Sequence, residues 1–362
     1  MILVLAYDLR RAGGIERLSL QVLQALDGLG IQHRVVATRR LGPGWIGRQL
    51  GRCWFVLQLL WWLPKAKAVF SMHVLLLRPL RLSDRWRITP KRQSRYCWLH
   101  GIEVWGAHLE GVRSDLLRCT ALAASSSFTS AQVQSKVALV PPITVVHPYI
   151  AVSEKPPPRD QFPDKSQGGG LRLLTVARMD ANERYKGHDQ VLQALHLLCG
   201  RGELPSALRW RVVGCGDDQQ RLEKQTIALG LETWVQFLGP LSDQALCEEY
   251  QQCQLVVMPS AYGIAADGRS QGEGFGITYL EAAALGRPSI AALEGGHTDL
   301  ILDGQSGWLV STDPKDLAML LRRLIIDPTQ IERCGDKAKK RALTEFALAQ
   351  QRQALMNVLQ VR

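Results

Sequence analysis

The chain has 362 residues, enough for two domains of ordinary size, each with its own core. Its composition (46% hydrophobic, 21% charged) is that of a folded globular protein. Its eight cysteines (53, 97, 119, 199, 215, 247, 253, 334) include no Cys-x-x-Cys pair, which argues against a disulfide framework and more strongly against a zinc site. The formal charge of +11 is one-sided: residues 1–160 carry 22 Lys and Arg against 9 Asp and Glu, whereas 161–362 carry 22 against 24. The surplus of +13 in the first part points to an anionic partner there.

The start, Met1–Tyr7, lacks the positive flank and cleavage site of a signal peptide and reads as a buried first strand. With the cysteines read as free thiols, the expected compartment is a reducing cytoplasm. Ile2–Tyr7, Ile15–Leu29 and His33–Ala37 then alternate as strand, helix and strand, which predicts βαβ units and a parallel sheet.

Residues 44–63 hold four of the ten tryptophans, and their continuous apolar part is too short to span a bilayer. Two readings stay open: a buried helix on the first sheet, or a helix on a membrane surface with Trp and Leu down and Arg48 and Arg52 up. A basic cluster follows, made of Arg78, Arg81, Arg85, Arg87, Lys91, Arg92 and Arg95 with Trp86 among them. It suits a surface role or a solvated basic face. Pro148 is expected to turn the chain ahead of a linker at 155–170, rich in Pro and Gly.

After the linker the alternation restarts. Strands are expected at Leu171–Ala177, Leu208–Val213, Val235–Leu238, Leu255–Met258 and Pro288–Ala292. Helices are expected at His188–Leu198, Gln219–Leu229, Ile277–Leu285, 314–326 and about 330–361. Two similar α/β halves about a hinge would bind a ligand at the carboxyl ends of their sheets.

Several loops carry candidate chemistry. Gly13 and Gly14, between the first strand and its helix, suit a phosphate-binding turn, though many βα turns look alike. Arg178 leaves the end of a strand and Lys186 sits before a helix; two such cations can neutralise a diphosphate or can be solvated loop charges. Gly214 and Gly216 lack the third glycine of a dinucleotide fingerprint, so a base-contacting turn and a structural one remain open. His100 follows the apolar segment Tyr96–Leu99; a lone His is usually structural, but one at a strand end is a better catalytic candidate. Glu273 and Glu281 stand eight residues apart, the first in a Gly-rich turn and the second in an apparent helix. At 3.6 residues per turn they would share a face, while Gly274 and Gly276 let a ligand approach the backbone. Two carboxylates beside an anion-binding helix start suit a ligand that is part phosphate and part polyol, such as a nucleotide sugar.

In their order and spacing these pieces resemble the GT-B glycosyltransferases, specifically the retaining group called family 4. The resemblance rests on Arg178 with Lys186-Gly187, Gly214-x-Gly216, Phe237-Leu-Gly239, Met258-Pro-Ser260, Glu273 with Glu281, and Gly295-Gly296 before Asp303-Gly-x-x-Gly307; Gly13-Gly14 and His100 match more loosely. It implies an α/β fold of two Rossmann-like, doubly wound domains with a cleft between them. The expected divisions are 1–154 for the acceptor, the linker 155–170, 171–340 for the donor, and a helix in 341–362 packing back on the first domain.

The resemblance also implies roles. Arg178 and Lys186 would hold the donor diphosphate, and Glu281 would take the ribose hydroxyls. Glu273, with the backbone of Gly274, Phe275, Gly276 and Ile277, would grip the transferred sugar and its phosphates. Gly214 and Gly216 would line the donor site, His100 would face the sugar, and Gly13 and Gly14 would approach from the first domain. No cofactor and no metal are expected, and no D-x-D motif is present. The expected partners are a nucleotide-sugar donor, a lipid-linked saccharide or polysaccharide acceptor and an anionic membrane surface, with the protein peripheral on the inner face of the plasma membrane. A small soluble acceptor is the alternative. A nucleic-acid-binding protein and a non-catalytic scaffold are the rivals from other classes, and no nucleic-acid module is recognisable.

Two departures stand out. A longer polar loop, 261–272, carries Asp267 and Arg269 as candidates for sugar or acceptor choice. His147 and Tyr149 replace the usual Pro-Asn-Gly at their turn.

Overall fold

Strands form where apolar residues run without alternation, as buried parallel strands require. In the computed structural model, which describes residues 1–10, 13–86, 88–90, 93–150 and 170–360, the chain divides into two units. The first comprises Met1–Tyr149, Ala266–Ser270 and Leu348–Arg362; the second comprises Ile150–Ala265 and Gln271–Ala347. The linker expected at 155–170, apart from Gly170, and Arg87, Lys91 and Arg92 of the basic cluster lie outside the described residues.

The first unit runs β1 (Ile2–Ala6), α1 (Gly14–Gly28), β2 (His33–Ala37), α2 (Gly44–Trp62), β3 (Ala68–Ser71), α3 (Arg78–Arg85), β4 (Ser94–Leu99), α4 (Gly106–Leu116), β5 (Ala121–Ala124), α5 (Ser127–Gln134) and β6 (Ile143–Val145). Its sheet has the order β2-β1-β3-β4-β5-β6, with every pair parallel. The order reverses between β1 and β3, which opens a crevice at their carboxyl ends. Leu18, Val22, Phe70 and Trp98 fill the core, and the Trp98 indole N–H donates to Ser125 Oγ at 2.7 Å.

The second unit runs β7 (Arg172–Val176), α6 (His188–Gly200), β8 (Arg209–Val213), α7 (Gln219–Ala228), β9 (Val235–Gly239), α8 (Asp243–Gln252) and β10 (Leu255–Val257). A short ribbon, β11 (Gly263–Ile264) with β12 (Ser270–Gln271), follows. Then come α9 (Ile277–Ala284), β13 (Ser289–Ala292), β14 (Gly307–Val310), α10 (Pro314–Ile326) and α11 (Thr329–Glu345). This sheet is also parallel, in the order β14-β13-β10-β7-β8-β9, and its switch point lies between β7 and β10. One cluster around Leu195, Trp210 and Leu321 and another around Tyr279, Leu280 and Ala338 make up its core.

The terminal helical stretch breaks at Phe346. That residue leaves helical geometry (φ −115°, ψ 35°), buries its ring against Phe275 at 5.7 Å between centroids, and accepts the Ile150 N–H through its carbonyl. Beyond it α12 (Leu348–Leu359) packs Leu355, Val358 and Leu359 into the core of the first unit.

Helix α2 shows two faces. Gly47, Gly51, Phe55 and Leu59 are buried. A Cβ at Gly51 would lie 1.6 Å from the Arg39 carbonyl oxygen, so the glycine permits that close packing. Ile46, Leu50, Trp54, Leu57 and Trp61 are exposed, and at 100° per residue they fall within roughly 80° of one another. No helix among the described residues is long and apolar enough to cross a membrane.

Leu355→Ala should destabilise the first unit by about 2–5 kcal/mol, the usual cost of a buried Leu truncation. Denaturant unfolding of the full chain checks this. A change under about 0.5 kcal/mol would show that α12 is not part of that core.

Candidate active site

In the second unit the loop after β7 is built to hold one lysine. Residues Ala181–Lys186 form a 3₁₀ turn, and Gly187 closes it in the left-handed region (φ 88°). A Cβ there would lie 2.8 Å from the Pro259 carbonyl oxygen, so the position is restricted to glycine twice over. The turn is anchored at Asp218, which takes Arg184 at 2.8 Å and Arg221 at 2.6 Å; Arg221 also takes Asp189 at 2.6 Å. Arg221, then burial and Arg184, act on the Asp218 carboxyl, and the net effect holds it below its usual range.

Lys186 Nζ meets Glu273 Oε1 at 2.5 Å, and both side chains are largely buried. Burial works against the ammonium, but Glu273, Tyr185 and Glu183 outweigh it, and the Lys186 pKa lies above its ordinary value. The Glu273 carbonyl accepts the Gly296 N–H at 2.7 Å, so the Gly295-Gly296 turn fixes the backbone that presents the carboxylate. Gly276, left-handed (φ 87°), starts α9, and a Cβ there would meet the Tyr279 ring at 2.3 Å.

One expectation needs correction. The shared face of Glu273 and Glu281 assumed helix across both. Helix α9 begins only at Ile277, so Glu273 precedes it and Glu281 lies one turn inside. The two carboxylates take different partners: Glu273 has Lys186, and Glu281 Oε2 accepts the Tyr250 hydroxyl at 3.0 Å.

Arg178 is 71% exposed at its side chain and pairs with Glu183 at 2.5 Å, within its own loop. Gly214 and Gly216 have a packing reason. Cβ atoms there would lie 2.1 Å from the Ala177 carbonyl oxygen and 1.9 Å from that of Met179. Met179 N–H donates to the Cys215 carbonyl and Asp218 N–H to the Met179 carbonyl, tying the β7 and β8 loops together. Phe275 is buried in the core under the turn that starts with Glu273, Gly274 and Gly276, and Ile277 opens α9.

In the first unit the carboxyl ends of β1, β3 and β4 bring Tyr7, His73 and His100 together. The two imidazoles stack at 5.8 Å (27° between planes), and the Tyr7 ring meets His73 edge-on at 5.1 Å. His100 Nε2–H donates to the Met72 carbonyl at 2.6 Å, which leaves Nδ1 as the acceptor in the neutral ring. Glu103 accepts the N–H groups of His100 and Gly101 at 2.6 and 3.0 Å. Burial, helped by His100 and opposed by Glu103, lowers the His73 pKa to about 4. Gly13 precedes α1 in extended geometry, and a Cβ on it would lie 2.3 Å from Glu16 Oε2. The carboxylate of Glu16 thus sits at the helix start, where a phosphate at Gly13 and Gly14 would have to displace it.

Of the predicted residues, Lys186, Glu273, Gly274, Phe275, Gly276, Ile277, Glu281, Arg178, Gly214 and Gly216 surround the switch-point end of the second sheet. His100, Gly13 and Gly14 belong to the first sheet. Sequence reasoning did not single out Tyr7, His73, Tyr250 or His297. His73 had a readable signal, being a histidine just past a strand end like His100. Tyr250, on a helix, reads only as core. His297 accompanies the Gly295-Gly296 turn, is fully buried, and has Nε2 on the Ala292 carbonyl at 2.7 Å.

The family model of the glycosyl transferases group 1 matches residues 159–341, half of the chain, and the chain belongs to that family. D-inositol 3-phosphate glycosyltransferase of Streptomyces coelicolor is 29% identical over 220 residues, covering 55% of this chain and 46% of that protein. The enzyme of the same name from Corynebacterium aurimucosum is 30% identical over 229 residues, covering 60% and 50%. The matched part thus spans about half the length of these curated relatives. Among solved structures, Anabaena HepE in complex with UDP and glucose superposes with a TM-score of 0.73 at 19% identity, over 100% of both chains. Sucrose-phosphate synthase from Thermosynechococcus elongatus gives 0.80 at 17%, over 99% of this chain and 98% of that one. The two parallel sheets and these likenesses establish the GT-B fold.

Burial also lowers the His188 pKa to about 4. Below the ordinary value near 6.5 the unfolded chain takes up protons at His73 and His188 that the folded chain refuses. Stability is therefore full above pH 6.5 and falls between pH 6.5 and 4, by about 3 kcal/mol for each ring. The depressed carboxyls Asp84 and Asp218 act only below their ordinary 3.8. Unfolding measured at pH 7 and pH 4.5 should show a smaller acid loss in His188→Phe than in the parent. Equal losses would remove His188 as a source.

Proposed function

We propose that the chain transfers a hexose from a nucleoside diphosphate sugar to an acceptor hydroxyl with retention of configuration, as a family 4 enzyme would. The observation that carries this reading is the Lys186–Glu273 pair at the switch-point end of the second sheet, inside the segment matched by the family model. Breaking the bond between the sugar C1 and the phosphate oxygen leaves positive charge on the ring and negative charge on the diphosphate. Lys186, Arg178 and the N-terminus of α9 supply positive charge for the second. Glu273 grips the sugar hydroxyls and Glu281 the ribose. The leaving phosphate oxygen takes the acceptor's proton on the same face, so no protein base is required. The site is proposed to work without a metal or cofactor. His100, through Nδ1, accepts a sugar hydroxyl.

The acceptor we favour is a lipid-linked or polysaccharide saccharide at the cytoplasmic face of a membrane. The exposed stripe of α2 supports this, together with exposed cations on α2 and on the segments just before and after it: Arg39, Arg40, Arg48, Arg52, Lys65 and Lys67. Lys65 Nζ also sits 4.0 Å above the Trp61 ring. A small phosphorylated polyol is the second reading, favoured by the inositol phosphate in the name of the curated relatives and by the +13 surplus in residues 1–160.

A thermal-shift screen against UDP, GDP, ADP and their sugar conjugates should show saturable stabilisation by one base. Glu281→Ala and Lys186→Ala should each weaken that binding about ten- to a hundredfold, the loss of one charged hydrogen bond. Unchanged affinity in both variants would sink the donor site. Co-sedimentation with anionic vesicles tests the surface: Trp54 and Trp61 changed to Ser should release the protein while nucleotide binding persists. Full retention on the vesicles would leave the polyol reading.

A further inference from the structure

The carboxylate proposed to take the ribose is itself held from behind. Tyr250 lies on α8 with only 3% of its surface exposed, and its hydroxyl donates to Glu281 Oε2 at 3.0 Å. The same hydroxyl lies 3.5 Å from the Thr278 carbonyl in the first turn of α9. The backbone behind the phenol is fixed as well. Buried Arg287 donates from Nε to the Tyr250 carbonyl at 3.1 Å and from Nη2 to the Gln251 carbonyl at 2.5 Å. Arg287 belongs to the turn that ends α9, the helix that carries Glu281. One short segment therefore sets both ends of the Tyr250–Glu281 contact: its helix supplies the acceptor, and its turn clamps the helix of the donor.

We infer that Tyr250 is a positioning residue that aims the Glu281 carboxylate at the nucleotide ribose and so sets the site's preference for a ribose over a sugar ring lacking its hydroxyls. The inference rests on the donor reading above. A carboxylate on a helix surface has several rotamers, and ligand binding must select one. A buried phenol bonded to one oxygen makes that selection in advance. Burial, then the adjacent Glu281 carboxylate, raises the Tyr250 pKa well above its ordinary value, so the hydroxyl stays a donor throughout the neutral range. No proton is transferred; the contribution is geometric.

The test compares UDP, GDP and ADP with their dideoxy counterparts, which lack both ribose hydroxyls, by titration calorimetry on the full chain. The parent should favour the ribose form of the nucleotide it takes. Tyr250→Phe, which removes one oxygen and keeps the ring, should lose about threefold to tenfold in affinity for the ribose form, one hydrogen bond's worth, with the dideoxy affinity unchanged. Glu281→Ala should abolish the preference. An equal loss for both forms in Tyr250→Phe would assign Tyr250 to packing alone, and no loss would leave it without a role; either overturns the inference while the donor site stands. A parent that binds both forms equally, or none of the nucleotides, would overturn the donor reading and this inference with it.

Discussion

The second unit is organised around the burial of one ammonium beside one carboxylate. Lys186 and Glu273 come from loops 87 residues apart and meet with little exposure on either side. Desolvating two charges costs several kcal/mol, and their attraction offsets that only with good geometry and further hydrogen bonds. Stability alone is a poor reason to keep such a pair. A ligand with a diphosphate and a polyol is a better one, since it can use both charges in place. The Asp218 network and the Gly296 N–H on the Glu273 carbonyl serve that geometry: they hold the two backbones so that the side chains need not search.

The same requirement accounts for the glycines. At Gly187, Gly214 and Gly216 a Cβ would strike a carbonyl of a neighbouring loop, and at Gly276 it would strike the Tyr279 ring. These positions bring three loops closer than side chains allow, and this closeness lets Lys186 reach Glu273. The glycines of this motif thus act first on packing. Any contact they make with phosphate follows from the backbone exposure that such packing leaves at the sheet's end.

This division of labour decides what could be read in advance. Strands such as His33–Ala37 and the α/β alternation follow from local apolar runs, and the structure places them at nearly the expected residues. Lys186, Glu273 and Glu281 stood out as candidates because their spacing and glycine neighbours are unusual. The break at Phe346 was not, since Glu345-Phe-Ala-Leu contains neither Gly nor Pro; the ring's burial against Phe275 overrides local helix propensity. The 273–281 register failed for a related reason: Gly276 adopts a left-handed φ that stops the helix from reaching back to Glu273. Tyr250 gave no signal because a tyrosine on a helix is ordinary, and its chemistry exists only through a partner 31 residues away.

The two units divide the physics as they divide the charge. The second is nearly neutral in formal charge, and around its site it pairs its cations: Arg178 with Glu183, Lys186 with Glu273, Arg184 and Arg221 with Asp218. Such a site recognises by geometry. In the first unit some cations are paired, such as Arg81 with Asp115 and Arg95 with Asp84. The surplus remains, and part of it lies on α2 and the segments either side of it, where Gly47 and Gly51 let the helix pack one side while presenting an apolar stripe on the other. Exposed Trp and Leu beside Arg and Lys gain most from a surface with an apolar interior and anionic headgroups. Paired charges suit a small ligand that must be oriented; unpaired charges beside apolar side chains suit an extended anionic one. The molecule carries the first arrangement where the family model matches and the second where it does not.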